Sequence, residues 1–295
     1  MEQKHDVVVG VDGSPESLAA VDWAAWDAAR RGRRLHIIHA CAGPVADLPL
    51  DARQTPALDE IVRHAAETVV DIAVARARTV TSQLPITTAT PFEHAGVALI
   101  DASGWAGTVV VGSRGLGGFS GLLLGSVGVQ LAAHAAGPVV VVRRGDPTDA
   151  GEAGEAGRVV VGVDGSGDTE HTLRFAFEQA SYREAGLTAV HTYVWPHATG
   201  PGAMLPLVYD ADDLFDDERR ALMEMIGGWA DKYPDVDVRH CTVRGNPAPV
   251  LKRLSHGAEL MVVGSRGRGG FTGLLLGSVS QALIHHAACP VAVVR

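Results

Sequence analysis

The sequence predicts an α/β protein made of two tandem copies of one parallel-sheet domain. Three observations carry this. Residues 7–14 and 159–166 both read VVVGVDGS, and residues 110–127 recur at 262–279 with changes only at Leu116/Arg268 and Ser120/Thr272. Short β-branched runs alternate with longer helical segments, the pattern that gives a parallel sheet with right-handed crossovers. Glycine-rich turns fall after two strands of each copy.

The offset of 152 residues holds from the first strand to the last. His39 matches His191, and Pro138 matches Pro290. A register kept this long marks a duplicated domain, and its period exceeds that of any solenoid repeat. The expected division is domain 1 over 1–144, a linker over 145–157 and domain 2 over 158–295. The linker region, RGDPTDAGEAGEAG from Arg144, is rich in Gly, Ala and acid and lacks apolar periodicity.

Taken in order, Val7–Val9 predicts a doubly buried first strand ending at Gly10. Ser14 is placed to cap the first helix, Pro15 suits its first position, and Glu16 suits its dipole. Arg30, Arg31 and Gly32 end it. Leu35–Ala40 is the second strand, and a helix follows around Asp59–Thr79. Ile86–Thr90 is the third strand, Glu93–Gly104 the third helix and Thr108–Val111 the fourth strand. Ser126 is expected to cap the fourth helix, which stops at Gly137-Pro138. Val139–Val142 is the fifth strand. The second copy repeats the order, with strands near Val159–Val161, Leu187–His191, Val236–Thr242, Leu260–Val263 and Val291–Val294. Each copy thus reads as a Rossmann-like layered domain with helices on both faces, and such sheets bind ligands at the carboxyl ends of strands.

Composition bounds the function. The 295 residues carry a net charge of −9, which argues against nucleic acid or an anionic membrane surface as partner. No apolar run approaches the roughly 18 residues of a membrane helix. Three cysteines, Cys41, Cys241 and Cys289, form no C-x-x-C pair. They suit a reducing compartment, and with a polar start lacking a signal peptide they predict a cytoplasmic protein.

The chemistry sits in the loops. Gly112-Ser113-Arg114-Gly115, nine residues, then Gly125-Ser126 links a strand to a helix. Gly112 permits a sharp turn, Gly115, Gly117 and Gly118 leave amides open to an oxyanion, and the helix start aims N–H groups at the same place. Leu122-Leu123-Leu124 would anchor the loop. There is no Gly-Lys-[Ser/Thr], so this is not a Walker A loop, and the dinucleotide fingerprint sits elsewhere in its fold. The competing reading is a pair of turns that serve packing alone. Asp12 and Asp164 end their first strands. Each can accept from a ribose hydroxyl or hold hydrated Mg²⁺, or can close an Asx turn.

Gly-x₂-Gly-x₉-Gly-[Ser/Thr] after a fourth strand, with an early Val-Asp, resembles the ATP-binding branch of the universal stress proteins. The doublet is similar to tandem members of mycobacteria and related actinobacteria. The resemblance implies, in each copy, a five-stranded sheet of order 3-2-1-4-5 with ATP between the strand-1 end and the glycine loop. Carried across, the nucleotide-binding residues are Val11, Asp12, Gly13, Ser14, Ala40, Gly112, Ser113, Arg114, Gly115, Gly125, Ser126 and Val127. Their second-copy counterparts are Val163, Asp164, Gly165, Ser166, Thr192, Gly264, Ser265, Arg266, Gly267, Gly277, Ser278 and Val279. Gly167 departs from Pro15 and leaves the second helix start less fixed. The resemblance also implies antiparallel pairing of fifth strands, so that the two halves of this chain would pair internally, and it admits a homodimer.

Other residues have plainer readings. His39 and His191 fit packed, hydrogen-bonded strand-end positions, with a ligand role as the alternative. His285-His286 lack a spaced carboxylate, so no metal site is expected. Trp23 and Trp26 suit the core or a domain contact. Asp210, Asp212, Asp213, Asp216, Asp217 and Glu218 suit a solvated helix start, with metal binding the alternative. Arg114 and Arg266 either clamp phosphates or reach solvent. No catalytic constellation is readable. A nucleotide-binding regulator, a slow ATPase and an interaction module without ligand are the three function classes, in that order.

Overall fold

The computed structural model describes residues 6–41, 56–116, 125–143, 155–166, 169–194, 211–268 and 275–295. Gly117, Gly118, Leu122–Leu124, Gly167, Asp210 and most of the expected linker lie outside these residues. The chain divides into two compact units, Met1–Asp146 with Pro290–Val293, and Pro147–Cys289 with Val294–Arg295.

The first unit runs β1 (Val7–Gly10), α1 (Pro15–Arg30), β2 (Leu35–Ile38), α2 (Pro56–Val80), β3 (Ile86–Ala89), α3 (Ala95–Ser103), β4 (Thr108–Gly112), α4 (Ser126–His134) and β5 (Val139–Val142). Parallel pairing gives the order β3-β2-β1-β4-β5. Val7, Val8 and Val9 are wholly buried, as a strand covered by helices on both faces requires. Ser14 caps α1 by accepting from the Ser17 amide at 3.1 Å. Gly32 turns the chain out of α1 at φ +60°. α3 starts at Ala95, two residues after the expected Glu93. Gly96 within it is buried, and a methyl there would collide with the Gln130 side chain on α4. The glycine that weakens the helix in isolation leaves room there for the Gln130 side chain.

The second unit repeats the plan through β6 (Arg158–Val163), α5 (Thr169–Arg183), β7 (Gly186–Tyr193), α6 (Ala211–Lys232), β8 (Val238–Arg244), α7 (Pro247–Leu254), β9 (Leu260–Gly264) and α8 (Ser278–His286). Its parallel strands lie in the order β8-β7-β6-β9. β8 runs to Arg244, two residues past the expected Thr242, because β7 continues to Tyr193 and pairs with it there. The last strand is β10 (Val291–Val294). Val294 accepts from the Ser265 amide at 2.7 Å, the place Val142 takes for Ser113 at 2.8 Å in the first unit.

Within the first unit, Val291, Ala292 and Val293 of β10 lie antiparallel to Val141, Val140 and Val139 of β5. That is the pairing expected of the fifth strands. All of Val139–Val142 and Val291–Val294 are buried, so β5 presents no bare hydrogen-bonding edge. Among the described residues no helix is long and apolar enough to cross a membrane.

Val140 is fully buried between β4 and β10. Val140→Asp would place a carboxylate there without a partner, and a loss of about 3–5 kcal/mol is expected. Urea unfolding followed by far-UV circular dichroism measures it.

Candidate functional site

The parallel order brings the carboxyl ends of β1 and β4 side by side, so the Val-Asp-Gly-Ser turn faces the start of the glycine loop. The same holds for β6 and β9. Gly13 sits at φ +85° and Gly165 at φ +71°, a conformation that only glycine adopts at little cost. Gly112 packs so tightly on the first turn of α1 that a methyl would lie 2.7 Å from the backbone of Glu16.

Each aspartate joins the two loops. Asp12 Oδ1 accepts from the Ser14 amide at 3.0 Å, and Oδ2 accepts from the Leu116 amide at 2.7 Å. Asp164 does the same with Ser166 at 3.0 Å and Arg268 at 2.9 Å. The Asx turn read from sequence is therefore present, and it is half of a clasp spanning 104 residues in both copies. Gly115 and Gly267 lie where a methyl would strike the clasping carboxylate. Burial pushes the Asp12 carboxyl up, but hydrogen bonds from Ser14, Leu116 and Ser17 outweigh it and hold the group below its ordinary value of 3.8. Two accepted bonds leave each carboxylate with lone pairs for a further donor.

The helix start differs from expectation in one respect. Ser126 and Ser278 do not cap α4 and α8. Gly125 and Gly277 hold the cap positions in extended conformation, no side chain bonds the first-turn amides, and the serines are the first helical residues. The reason is the glycine loop's return path. Gly125 and Gly277 donate to the carbonyls of Ser113 and Ser265, at 2.8 Å in both copies, which sets the cap one residue earlier. Ser126 and Ser278 are exposed at the helix mouth. Ser113 and Ser265 are buried beneath it.

In the second unit these elements border a cleft of about 650 Å³. Val163, Asp164, Ser166, Thr192, Gly264, Arg266, Gly267, Gly277, Ser278 and Val279 line it. Gly165 and Ser265, also expected there, do not. In the first unit Val11 is buried, Ala40 follows the end of β2, and Val127 is half-buried in the first turn of α4. Arg114 reaches solvent, with one guanidinium nitrogen 3.4 Å from the Glu16 carboxylate.

His191 and Glu218 line the cleft although neither is among the nucleotide-binding residues expected from the sequence. His39 and His191 each place Nδ1 on the carbonyl of the residue before the aspartate, Val11 at 2.8 Å and Val163 at 3.0 Å. Since a carbonyl only accepts, Nδ1 donates. These are the packed, hydrogen-bonded histidines expected, but His191 also lines the cleft, with Nε2 2.8 Å from Glu218. The sequence places Glu218 among the solvated acids of the helix start. The acidic run does open α6, yet this member turns inward. Spacing alone cannot signal it, because its partner lies 27 residues away. Trp26 is half-buried, with Arg30 stacked 5.0 Å over its ring.

The sequence profile of the universal stress protein family matches this chain twice, over residues 4–143 and 155–295. The chain belongs to the universal stress protein family. It is 38% identical to a universal stress protein of Mycolicibacterium smegmatis over 297 residues, covering 99% of this chain and 97% of that one. It is 37% identical to a Mycobacterium tuberculosis universal stress protein over 302 residues, covering 99% and 98%. Among solved structures, a universal stress protein from Archaeoglobus fulgidus superposes with a TM-score of 0.69 at 21% identity, covering 100% of this chain and 99% of that one. At that identity the likeness speaks for the fold. In this family member the repeat is therefore a tandem pair of family domains.

Because Asp12 is held below its ordinary pKa, its clasp is at full strength above pH 3.8 and is lost as pH falls through the lower native value. Asp12→Ala should speed amide hydrogen exchange at Leu116 and Ser14 by roughly tenfold or more at neutral pH. In the wild type the same amides should loosen only in strong acid. Two-dimensional NMR reads both.

Proposed function

We propose that this universal stress protein is a stress-response regulator with one adenine-nucleotide site per domain, acting through nucleotide-dependent conformation or partner binding. The observation that carries it is the doubled clasp. Twice in one chain, a strand-end aspartate is fastened to the loop that opens a helix whose first amides have no side-chain cap. Such a helix start favours an oxyanion through its free N–H groups and its dipole. The exposed hydroxyls of Ser126 and Ser278 stand beside it. The cleft of about 650 Å³ in the second unit is within the range of small-ligand pockets, roughly 300–1,000 Å³.

ATP is the nucleotide proposed. Its phosphates would meet the amides of Gly125-Ser126-Val127 and Gly277-Ser278-Val279, with Arg114 and Arg266 beside them. Its ribose would donate to Asp12 or Asp164, and the adenine would lie against the chain at Ala40 or Thr192. Mg²⁺ would arrive with the phosphates. The net charge of −9 supports a small anion held by backbone amides in preference to nucleic acid or a membrane surface. A cytoplasmic site of action follows from the same reading. Turnover would need a base to activate water. Asp12 and Asp164 already accept from backbone amides with both oxygens, which favours binding without hydrolysis.

Mass spectrometry of ligand extracted from freshly purified protein should find an adenine nucleotide at up to two per chain. The double variant Gly115→Ala, Gly267→Ala pushes each clasping carboxylate aside. It should weaken ATP binding by about tenfold or more in titration calorimetry. Unchanged affinity would contradict the loop assignment. Steady phosphate release from saturating Mg-ATP would move the reading to the slow ATPase.

A further inference from the structure

The two glycine loops share an 18-residue stretch identical at all but two positions, and only one of the two changes alters charge: Leu116 in the first copy is Arg268 in the second. The backbone at this position does the same work in both. Leu116 and Arg268 each donate their amide to the clasping aspartate. The clasp therefore fixes where the residue sits, and the side chain is what differs.

Leu116 is 73% exposed, with nothing in its chemistry to engage an anion. Arg268 instead folds back over the β6–α5 turn. A methyl on Gly165 would collide with its terminal guanidinium nitrogen, so the bare glycine lets the planar group lie against the backbone at the cleft. Arg266 and Arg268 both line that cleft. Among the described residues neither guanidinium has an ion pair. The first copy's Arg114 lies 3.4 Å from Glu16, whose counterpart Asp168 lies outside the described residues. Two guanidiniums lining one cleft beside a helix N-terminus, together with the carboxylates of Asp164 and Glu218, make a site for a multiply charged anion, since the guanidinium fork matches phosphate oxygens.

We propose that Arg268 makes the second site selective for polyphosphate. It supplies a guanidinium to the distal phosphates of a nucleoside di- or triphosphate. The first site, with Leu116 at that position, distinguishes much less between nucleotides by phosphate number. This rests on the nucleotide reading above and adds to it that the two sites answer to different phosphorylation states of one nucleotide pool.

The test is titration calorimetry of the full chain with ATP and with AMP, at two salt concentrations, for the wild type, Arg268→Leu and Leu116→Arg. Leucine at 268 is the residue the first copy carries at the same loop position, so the backbone accommodates it. The wild type should show two unequal ATP steps. Arg268→Leu should lower affinity at the tighter ATP step by about tenfold while leaving AMP binding within about twofold, and should flatten its salt dependence. Leu116→Arg should tighten the weaker ATP step. If wild type and Arg268→Leu bind ATP and AMP with the same ratio of affinities, the inference is overturned and the nucleotide reading stands. If the wild type binds neither nucleotide, both are overturned.

Discussion

A carboxylate at the end of a buried strand, accepting from two backbone amides, is the constraint on which the rest of this molecule turns. Asp12 and Asp164 each reach across 104 residues to the amide after the first glycine pair of the loop. Hydrogen bonds to an ionised acceptor are roughly twice as strong as neutral ones. This bond offsets part of the entropy that a glycine-rich chain loses on ordering. With it, the free amides of the following helix and the turn of the first strand address one point in space.

The clasp explains the glycines better than flexibility does. Gly115 and Gly267 are bare because the carboxylate occupies the volume a side chain would fill. Gly112 is bare because the backbone of α1 lies against it. Gly13 and Gly165 are needed for a positive φ that aims the aspartate. Gly125 and Gly277 serve as helix caps whose amides close the loop onto Ser113 and Ser265. Each glycine answers a separate steric demand.

Duplication preserved this frame and let the surroundings diverge. Both copies keep the histidine that binds the carbonyl before the aspartate. Only His191 gains a carboxylate neighbour in Glu218 among the described residues. The second loop carries Arg268 in place of the first loop's Leu116. The backbone chemistry is thus common to both halves, and the side chains at the rim differ.

The sequence by itself determined the repeat, the strand–helix alternation and the location of both candidate sites. Short valine-rich runs bounded by Gly or Pro read as buried strands, and β1, β5 and β10 lie at those runs. Ser14 was legible as a cap because Pro and Glu follow it. The cap expected at Ser126 falls to Gly125 instead, because the loop's return path is set outside the local sequence. Only the tertiary structure decided what the aspartates hold, where Glu218 points and over which turn Arg268 lies. Those answers depend on partners 27 to 104 residues distant. Local spacing carries no record of them, because they arise only when the parallel sheet brings strand ends together.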